Sequence, residues 1–306
     1  MSLLIRCANI TLRCGACVTA ILSVAVAQES SGAKVRWSPT VVRQGIVMQL
    51  EVMGASDSAE SVSGSLSGEP LHFHRDASGK LRAIAGIPFD APDTLGTTLI
   101  VQHASGRSDS LSVRIPVAHG EYPTEHLTVA PKFGTEPDSA TTARIDRENA
   151  QARELGQRSH ETPQLWHSAF VAPRPGRVTS RFGRGREFNG TVQSRHLGVD
   201  FAGHKGEPVK ATNRGVVALI GDFFLGGRVV YIDHGGGLVT GYLHLSRVDV
   251  HPGDTVSRGQ VIGRVGDSGR VTGPHLHWAV RYGGVTVDGL SLLALCPSAR
   301  SGCSGK

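Results

Sequence analysis

The sequence predicts a mainly β protein: an N-terminal immunoglobulin-like β-sandwich, a helical connector and a C-terminal β-domain rich in turns. Three observations predict it. Of the 39 glycines in 306 residues, 26 lie between Val171 and Lys306, where they separate short β-type runs, the punctuation expected of strands and turns. Apolar residues alternate at Ile46, Met48, Leu50 and Val52, and again at Leu111, Val113, Ile115 and Val117. That period belongs to an antiparallel sandwich with one solvated face. Between Pro131 and Pro163 the composition turns to Ala, Arg, Glu and Gln, which favours a helix. With 39% hydrophobic and 19% charged residues, a disordered chain, a coiled coil and a multispanning membrane protein are excluded.

Residues 1–27 carry Arg6 and Arg13, a mostly apolar run from Ala16 to Ala27, and the small-residue end Ala25-Val26-Ala27. This is the layout of a secretory signal peptide cleaved after Ala27, and the run is too short to span a bilayer. No stable membrane insertion is expected after cleavage. Cys14 and Cys17 precede the apolar stretch, which argues against a lipid-modified cysteine. Residues 28–128 read as the sandwich and 129–170 as the connector. Within the connector a helix is expected from about Ser139 to Gly156, capped by Asp138 or Ser139, with Arg144 and Glu148 one turn apart. Trp166 and Phe170 are expected to dock on the second domain, residues 171–295. In the tail, 296–306, Cys296 and Cys303 are the cysteines left after cleavage. In an exported chain they read as a disulfide, with two free thiols as the alternative.

The formal net charge of +6 is uneven. Residues 28–170 hold 13 basic and 17 acidic residues, net −4, whereas residues 171–306 hold 17 and 9, net +8. The basic half suits an acidic partner. Its basic residues are not interleaved with aromatics and no nucleic-acid-binding signature accompanies them, so no nucleic acid is expected; an anionic polymer such as a cell wall fits the charge equally well. The oligomeric state is not legible.

Three groups of histidines in the C-terminal half stand apart by spacing. In His196-Leu197-Gly198-Val199-Asp200, the residues Leu197, Val199 and Phe201 are apolar at period 2, so His196, Gly198 and Asp200 share the other face. Their end Cα atoms would lie about 13 Å apart in a straight strand. His196 and Asp200 reach one metal only if the chain bends, and Gly198 sits where the bend is needed. In Gly273-Pro274-His275-Leu276-His277-Trp278, the residues Leu276, Trp278 and Val280 make the apolar face and His275 and His277 project together from the other. In Tyr242-Leu243-His244-Leu245, the leucines are expected to face inward and Tyr242 and His244 away. Histidine and aspartate together are the donor set of a catalytic zinc with an open position, and a general base would then be an unligated histidine.

At this point the sequence resembles the lysostaphin and LytM type of zinc endopeptidases that cut peptidoglycan peptides. The resemblance covers about 171–291 and rests on Ser180-Arg181-Phe182-Gly183, His196-x-x-x-Asp200, Asp233-His234-Gly235, Tyr242-x-His244-Leu245 and Gly273-Pro274-His275-Leu276-His277-Trp278. It implies one zinc per chain held by His196, Asp200 and His277, with His244 and His275 as the catalytic pair. They would take a proton from the water and stabilise the oxyanion. It further implies an antiparallel β-sheet zinc-peptidase domain with the metal in a groove walled by loops, a peptidoglycan peptide as substrate, and a periplasmic or extracellular site of action. The stretch Val287-Asp288-Gly289 departs from the family in lacking a Pro after the Asp. Some relatives block their groove with an upstream segment. The loop Arg184–Gly190 or the first domain is a candidate for this, so a wall-binding or regulatory protein with an occluded site is the alternative function.

Other features read as ordinary. His72-Phe73-His74 copies the His-x-His spacing, but no acid or third histidine is expected near it. His204, His234 and His251 sit in Gly- or Pro-containing stretches and are read as turn residues or as residues that support the site from behind its ligands. The run from Val250 to Gly263 is similar to biotinyl and lipoyl carrier domains, which present a lysine on a hairpin tip, whereas Lys210 lies within a strand-like run.

Overall fold

Alternation between residues 34 and 118 builds two four-stranded sheets. In a computed structural model of the chain, residues 33–53, 59–76, 78–190 and 192–295 are described. The signal peptide at 1–27 and the Cys296–Cys303 pair lie outside the described residues. One sheet has the order Lys34–Ser38, Val47–Met53, Leu81–Gly86, His74–Arg75; the other has Val42–Arg43, Ser108–Ala118, Thr94–His103, Ala59–Ser63. Met48, Leu50, Leu99, Val101 and Ile115 fill the core between them.

The two sheets differ in their outer faces. Thr94–His103 and Ser108–Ala118 alternate between buried and exposed, as expected. Val47–Met53 and Leu81–Gly86 do not: every residue of the latter is buried. Val47 and Ile84 turn away from the sandwich and join a second core with Trp166, Phe170, Tyr282, Val287 and Leu292. The expected solvated face is therefore covered. The physical reason is that the connector and the C-terminal elements lie against it, and Ser291 Oγ even accepts the Val47 N–H at 2.8 Å.

The connector helix spans Ser139–Arg158, with the Asp138 side chain accepting from the Thr141 N–H. Arg144 and Glu148 pair at 2.6 Å. Each also reaches the last sheet, Arg144 to the Asp222 carbonyl and Glu148 to the Phe224 N–H, while Ala152 and Leu155 pack on Val229, Tyr231 and Val239. Trp166 and Phe170 are buried in the second core, edge to face at 5.2 Å.

The largest sheet is antiparallel and runs in the order Val178–Ser180, Val199–Ala202, His275–Tyr282, Leu238–Leu245, Gly227–Gly235, Gly215–Phe223, Thr255–Val256. A smaller sheet of Pro208–Lys210, Val261–Arg264 and Arg247–Val248 closes one side. The segment Gly185–Phe188, a suspected blocking loop, is a strand. It pairs antiparallel with Val192–Arg195 and parallel with Thr124–Leu127, the strand leaving the sandwich. At the departure from the family pattern, Asp288 caps the short helix Gly289–Ala294 by accepting from the Leu290 N–H. Among the described residues no helix is long and apolar enough to cross a membrane.

Candidate metal centre and groove

Strand register brings two of the spaced groups together: Asp200 lies opposite His277, and Ala202 opposite His275. Leu276, Trp278 and Val280 are fully buried on one face, leaving His275 and His277 on the other. His196 reaches the same place because the chain bends at Gly198, just before strand Val199–Ala202. A Cβ at position 198 would lie 2.5 Å from His277 Nε2 and 2.7 Å from the Trp278 carbonyl, so only glycine permits the approach. The bend also corrects one expectation. Leu197 leaves the strand register and is 43% exposed, while Val199 and Phe201 stay in the core.

The third group also differs from its expected pattern. Tyr242 is a core residue, its hydroxyl held by Thr212 and Thr240, and Leu243 packs on the helix-facing side of the sheet. His244 has φ +63°, and this left-handed residue breaks the alternation, so that Leu245 returns to the core. His244 is turned towards the site: its ring is 4.9 Å from that of His275 and 5.8 Å from that of His277.

His196 Nε2, Asp200 Oδ1 and His277 Nδ1 converge, the three pairwise distances being 2.8–2.9 Å, in a buried cluster. Chemistry tests whether a metal fits. His196 Nδ1 lies 2.9 Å from the Arg181 carbonyl, which can only accept, so Nδ1 carries the proton and Nε2 presents a lone pair. That lone pair faces a carboxylate oxygen and a second imidazole nitrogen, and no single proton can bridge three such atoms at once. Two imidazole nitrogens and one carboxylate oxygen are a donor set that suits a divalent cation such as zinc; the residues fit a metal.

The electrostatics agree. Burial works to raise the Asp200 pKa, but the contacts with His196 and His277 outweigh it and hold the carboxyl well below its ordinary range. Burial lowers His277 to about 4, against the opposing pull of Asp200. Burial, then the neighbouring His275 and His277, holds His244 well below its ordinary value. His244 Nδ1 donates to the Ser268 carbonyl and His275 Nδ1 to the Gly273 carbonyl, each at 2.8 Å. Each ring therefore commits Nδ1 to a carbonyl and leaves Nε2 for other partners. His275 Nε2 is 3.7 Å from Asp200 Oδ1.

Some residues of the site were not singled out from the sequence. The second oxygen of Asp200 accepts from Arg186 Nη2 at 2.5 Å. Arg186 also faces Glu125, and Ser180 Oγ donates to Glu125 and contacts His196 Nδ1. Ser180 belongs to a motif quoted above, and Arg186 to the suspected loop. Glu125 carried no signal at all, because it is brought in by the parallel pairing of a strand sixty residues upstream. The groove beside the cluster has a volume of roughly 470 Å³ and is lined by Glu125, Leu127, Arg186, Phe188, Arg270 and His275, among others.

The remaining histidines diverge from expectation at two places. His204 and His251 are exposed, but His234 is fully buried near the end of strand Gly227–Gly235, between the Arg214 carbonyl and Thr240 Oγ1. His72 does meet a third histidine and an acid: its Nε2 lies 2.8 Å from His160 Nδ1, and His160 Nε2 lies 2.8 Å from Glu69. His160 comes from the far end of the connector helix, which is why spacing concealed it, whereas Glu69 stands in the short strand Glu69–Pro70 just before His72.

Residues 194–289 match peptidase family M23. Over 95 residues the chain is 45% identical to the peptidoglycan DD-endopeptidase ShyA of Vibrio cholerae, a match covering 31% of this chain and 22% of that protein. The chain thus spans less than a quarter of ShyA. A crystal structure of a protein described as a peptidase of family M23 from Pseudomonas aeruginosa is 29% identical, with TM-score 0.64, covering 82% of this chain and 94% of the other. The lysostaphin catalytic domain from Staphylococcus simulans is 31% identical, with TM-score 0.36, covering 39% of this chain and 93% of that domain.

Proposed function

Since this chain belongs to peptidase family M23, in keeping with its resemblance to the lysostaphin and LytM type, we propose that it is an exported, zinc-dependent endopeptidase hydrolysing peptide bonds in peptidoglycan stem or cross-link peptides. The observation that carries the reading is the convergence of His196, Asp200 and His277 beside the rings of His244 and His275, each held through Nδ1 by a backbone carbonyl. The named activity of ShyA supports it.

In this reading His196, Asp200 and His277 hold one zinc, which when bound polarises the scissile carbonyl and makes a water acidic enough to ionise near neutral pH. Arg186 on the outer oxygen of Asp200, and the Arg181 carbonyl on His196, fix the orientation of two of the ligands. One of His275 and His244 accepts at Nε2 the proton from the attacking water. The ring that takes the proton becomes a cation facing the new oxyanion, and it later returns the proton to the leaving amine. The Gly273 and Ser268 carbonyls keep both rings in the required tautomer.

The test is digestion of purified peptidoglycan by the full mature chain, with mass spectrometry of the released fragments, metal content measured alongside. New amine termini and about one zinc per chain are expected. Absence of released peptide at full zinc occupancy would favour the wall-binding alternative. Export is tested separately by the amino terminus of the protein recovered outside the cytoplasm, expected at residue 28.

A further inference from the structure

Two arginines reach the groove beside Asp200 and His275, Arg186 and Arg270. They are not equivalent. Arg186 is neutralised by Asp200 at 2.5 Å and by Glu125 at 3.5 Å. Arg270 has no carboxylate within ion-pair distance among the described residues. Its guanidinium carbon lies 4.0 Å over the Phe188 ring, and among the described residues Nη2 reaches only the Ser194 hydroxyl, at 3.4 Å. Partial burial, and then the like charge of Arg186, push its pKa down to about 10. It remains a cation at neutral pH, held in a half-enclosed groove without a counter-ion, an arrangement that costs free energy unless an anion arrives.

The position is built rather than incidental. Arg270 opens the loop that leads to His275. Its N–H donates to the Leu225 carbonyl at 2.9 Å, and the His275 N–H closes the loop on the Gly266 carbonyl at 3.2 Å. Gly269 before it adopts φ +78°, with Gly227 N only 2.4 Å from where a Cβ would stand. Held over Phe188 and bonded weakly to Ser194, the guanidinium keeps N–H groups to offer, and its planar fork matches a carboxylate in two parallel hydrogen bonds.

We propose that Arg270 is the specificity-determining residue of this groove and accepts a substrate carboxylate, so that the preferred wall peptide carries a free carboxylate beside the scissile bond. This rests on the endopeptidase reading and deepens it. A cross-link in which D-alanine is joined to diaminopimelate presents such a carboxylate on the amine side of the bond; a glycine bridge presents none. Arg270 forms no bond to the reacting atoms, so its contribution falls on substrate selection.

The experiment compares the full-length wild type with Arg270→Gln and Arg270→Lys on two cross-linked peptides that differ only in diaminopimelate carboxylate against carboxamide. A charge-assisted pair predicts a wild-type kcat/KM preference of about ten- to a hundredfold for the carboxylate. Arg270→Gln is expected to bring that ratio to within about threefold of one, mainly through KM, and Arg270→Lys to keep part of it. Calorimetry of the metal-free chains with the same peptides is expected to rank their affinities in the same order. A wild type that cleaves both peptides equally well, or a Gln variant that keeps the ratio, overturns the proposal while the endopeptidase reading stands. A wild type, zinc-loaded, that cleaves neither overturns that reading itself, and the proposal with it.

Discussion

Two His-x-His pairs stand in this chain, and the fold puts them to opposite uses. His72 and His74 lie where the sandwich meets the connector; His275 and His277 lie on the last long strand of the largest sheet. Around the first pair the contacts form a line, His72 to His160 to Glu69, each ring nitrogen of His160 pointing to a different partner. Around the second, donor atoms of His196, Asp200 and His277 point inward to one place, 2.8–2.9 Å apart. A line of hydrogen bonds ties two segments of chain together; a convergence leaves lone pairs that only a cation can satisfy together. Spacing within a strand is thus necessary for a metal site but does not create one.

The largest effect expected breaks the second pair. His277→Ala should lose zinc and lower peptidoglycan cleavage by roughly a thousandfold or more, whereas His74→Ala should keep both; metal analysis and fragment release would measure each. If His277→Ala retained a full zinc and wild-type activity, the assignment of ligands would fail. Removing zinc with a chelator should abolish cleavage and restore it on re-addition. Next comes Arg186→Ala, which strips the outer oxygen of Asp200 and should weaken zinc affinity by about ten- to a hundredfold, read by competition with a chromogenic chelator.

Breaking the first pair should act on stability instead. His160→Ala leaves His72 Nε2 and Glu69 Oε2 without their partner, at a cost of about 2–3 kcal/mol in denaturant unfolding, with zinc affinity unchanged. The smallest expected effect concerns His234, whose pKa burial lowers to about 4. The unfolded chain takes up this proton near pH 6.5 and the folded one not until about 4. Stability from this group is therefore complete above pH 6.5 and lost as pH falls towards 4. Unfolding free energies at pH 7 and 4.5 should fall by about 2 kcal/mol more in the wild type than in His234→Gln. An identical fall in both would exclude His234 as the cause.

Much of this was legible beforehand, for reasons that can be named. Alternation is a local property, so Leu276, Trp278 and Val280 declared the buried face of their strand, and with it the projection of His275 and His277. Capping is local too, and Asp138 with the Arg144–Glu148 pair placed the connector helix. The five residues of the candidate site were found by spacing and by family resemblance together, and Gly198 could be read as the bend because no straight strand lets His196 and Asp200 meet. Where local rules misled, a non-local or conformational fact intervened: the bend turned Leu197 outward, and the left-handed His244 broke the parity that had set Tyr242 away from the core.

The sequence by itself determined the elements and singled out the histidines and the aspartate that the fold brings together, since these depend on residue type and short spacing. Only the tertiary structure decided what surrounds them. That Glu125 steadies Arg186, that the sandwich lends one sheet face to the second core through Val47 and Ile84, and that Arg270 stands over Phe188 with no carboxylate beside it among the described residues all depend on segments distant in the chain. Contacts of that kind follow from how sheets pack and pair, which no local period encodes.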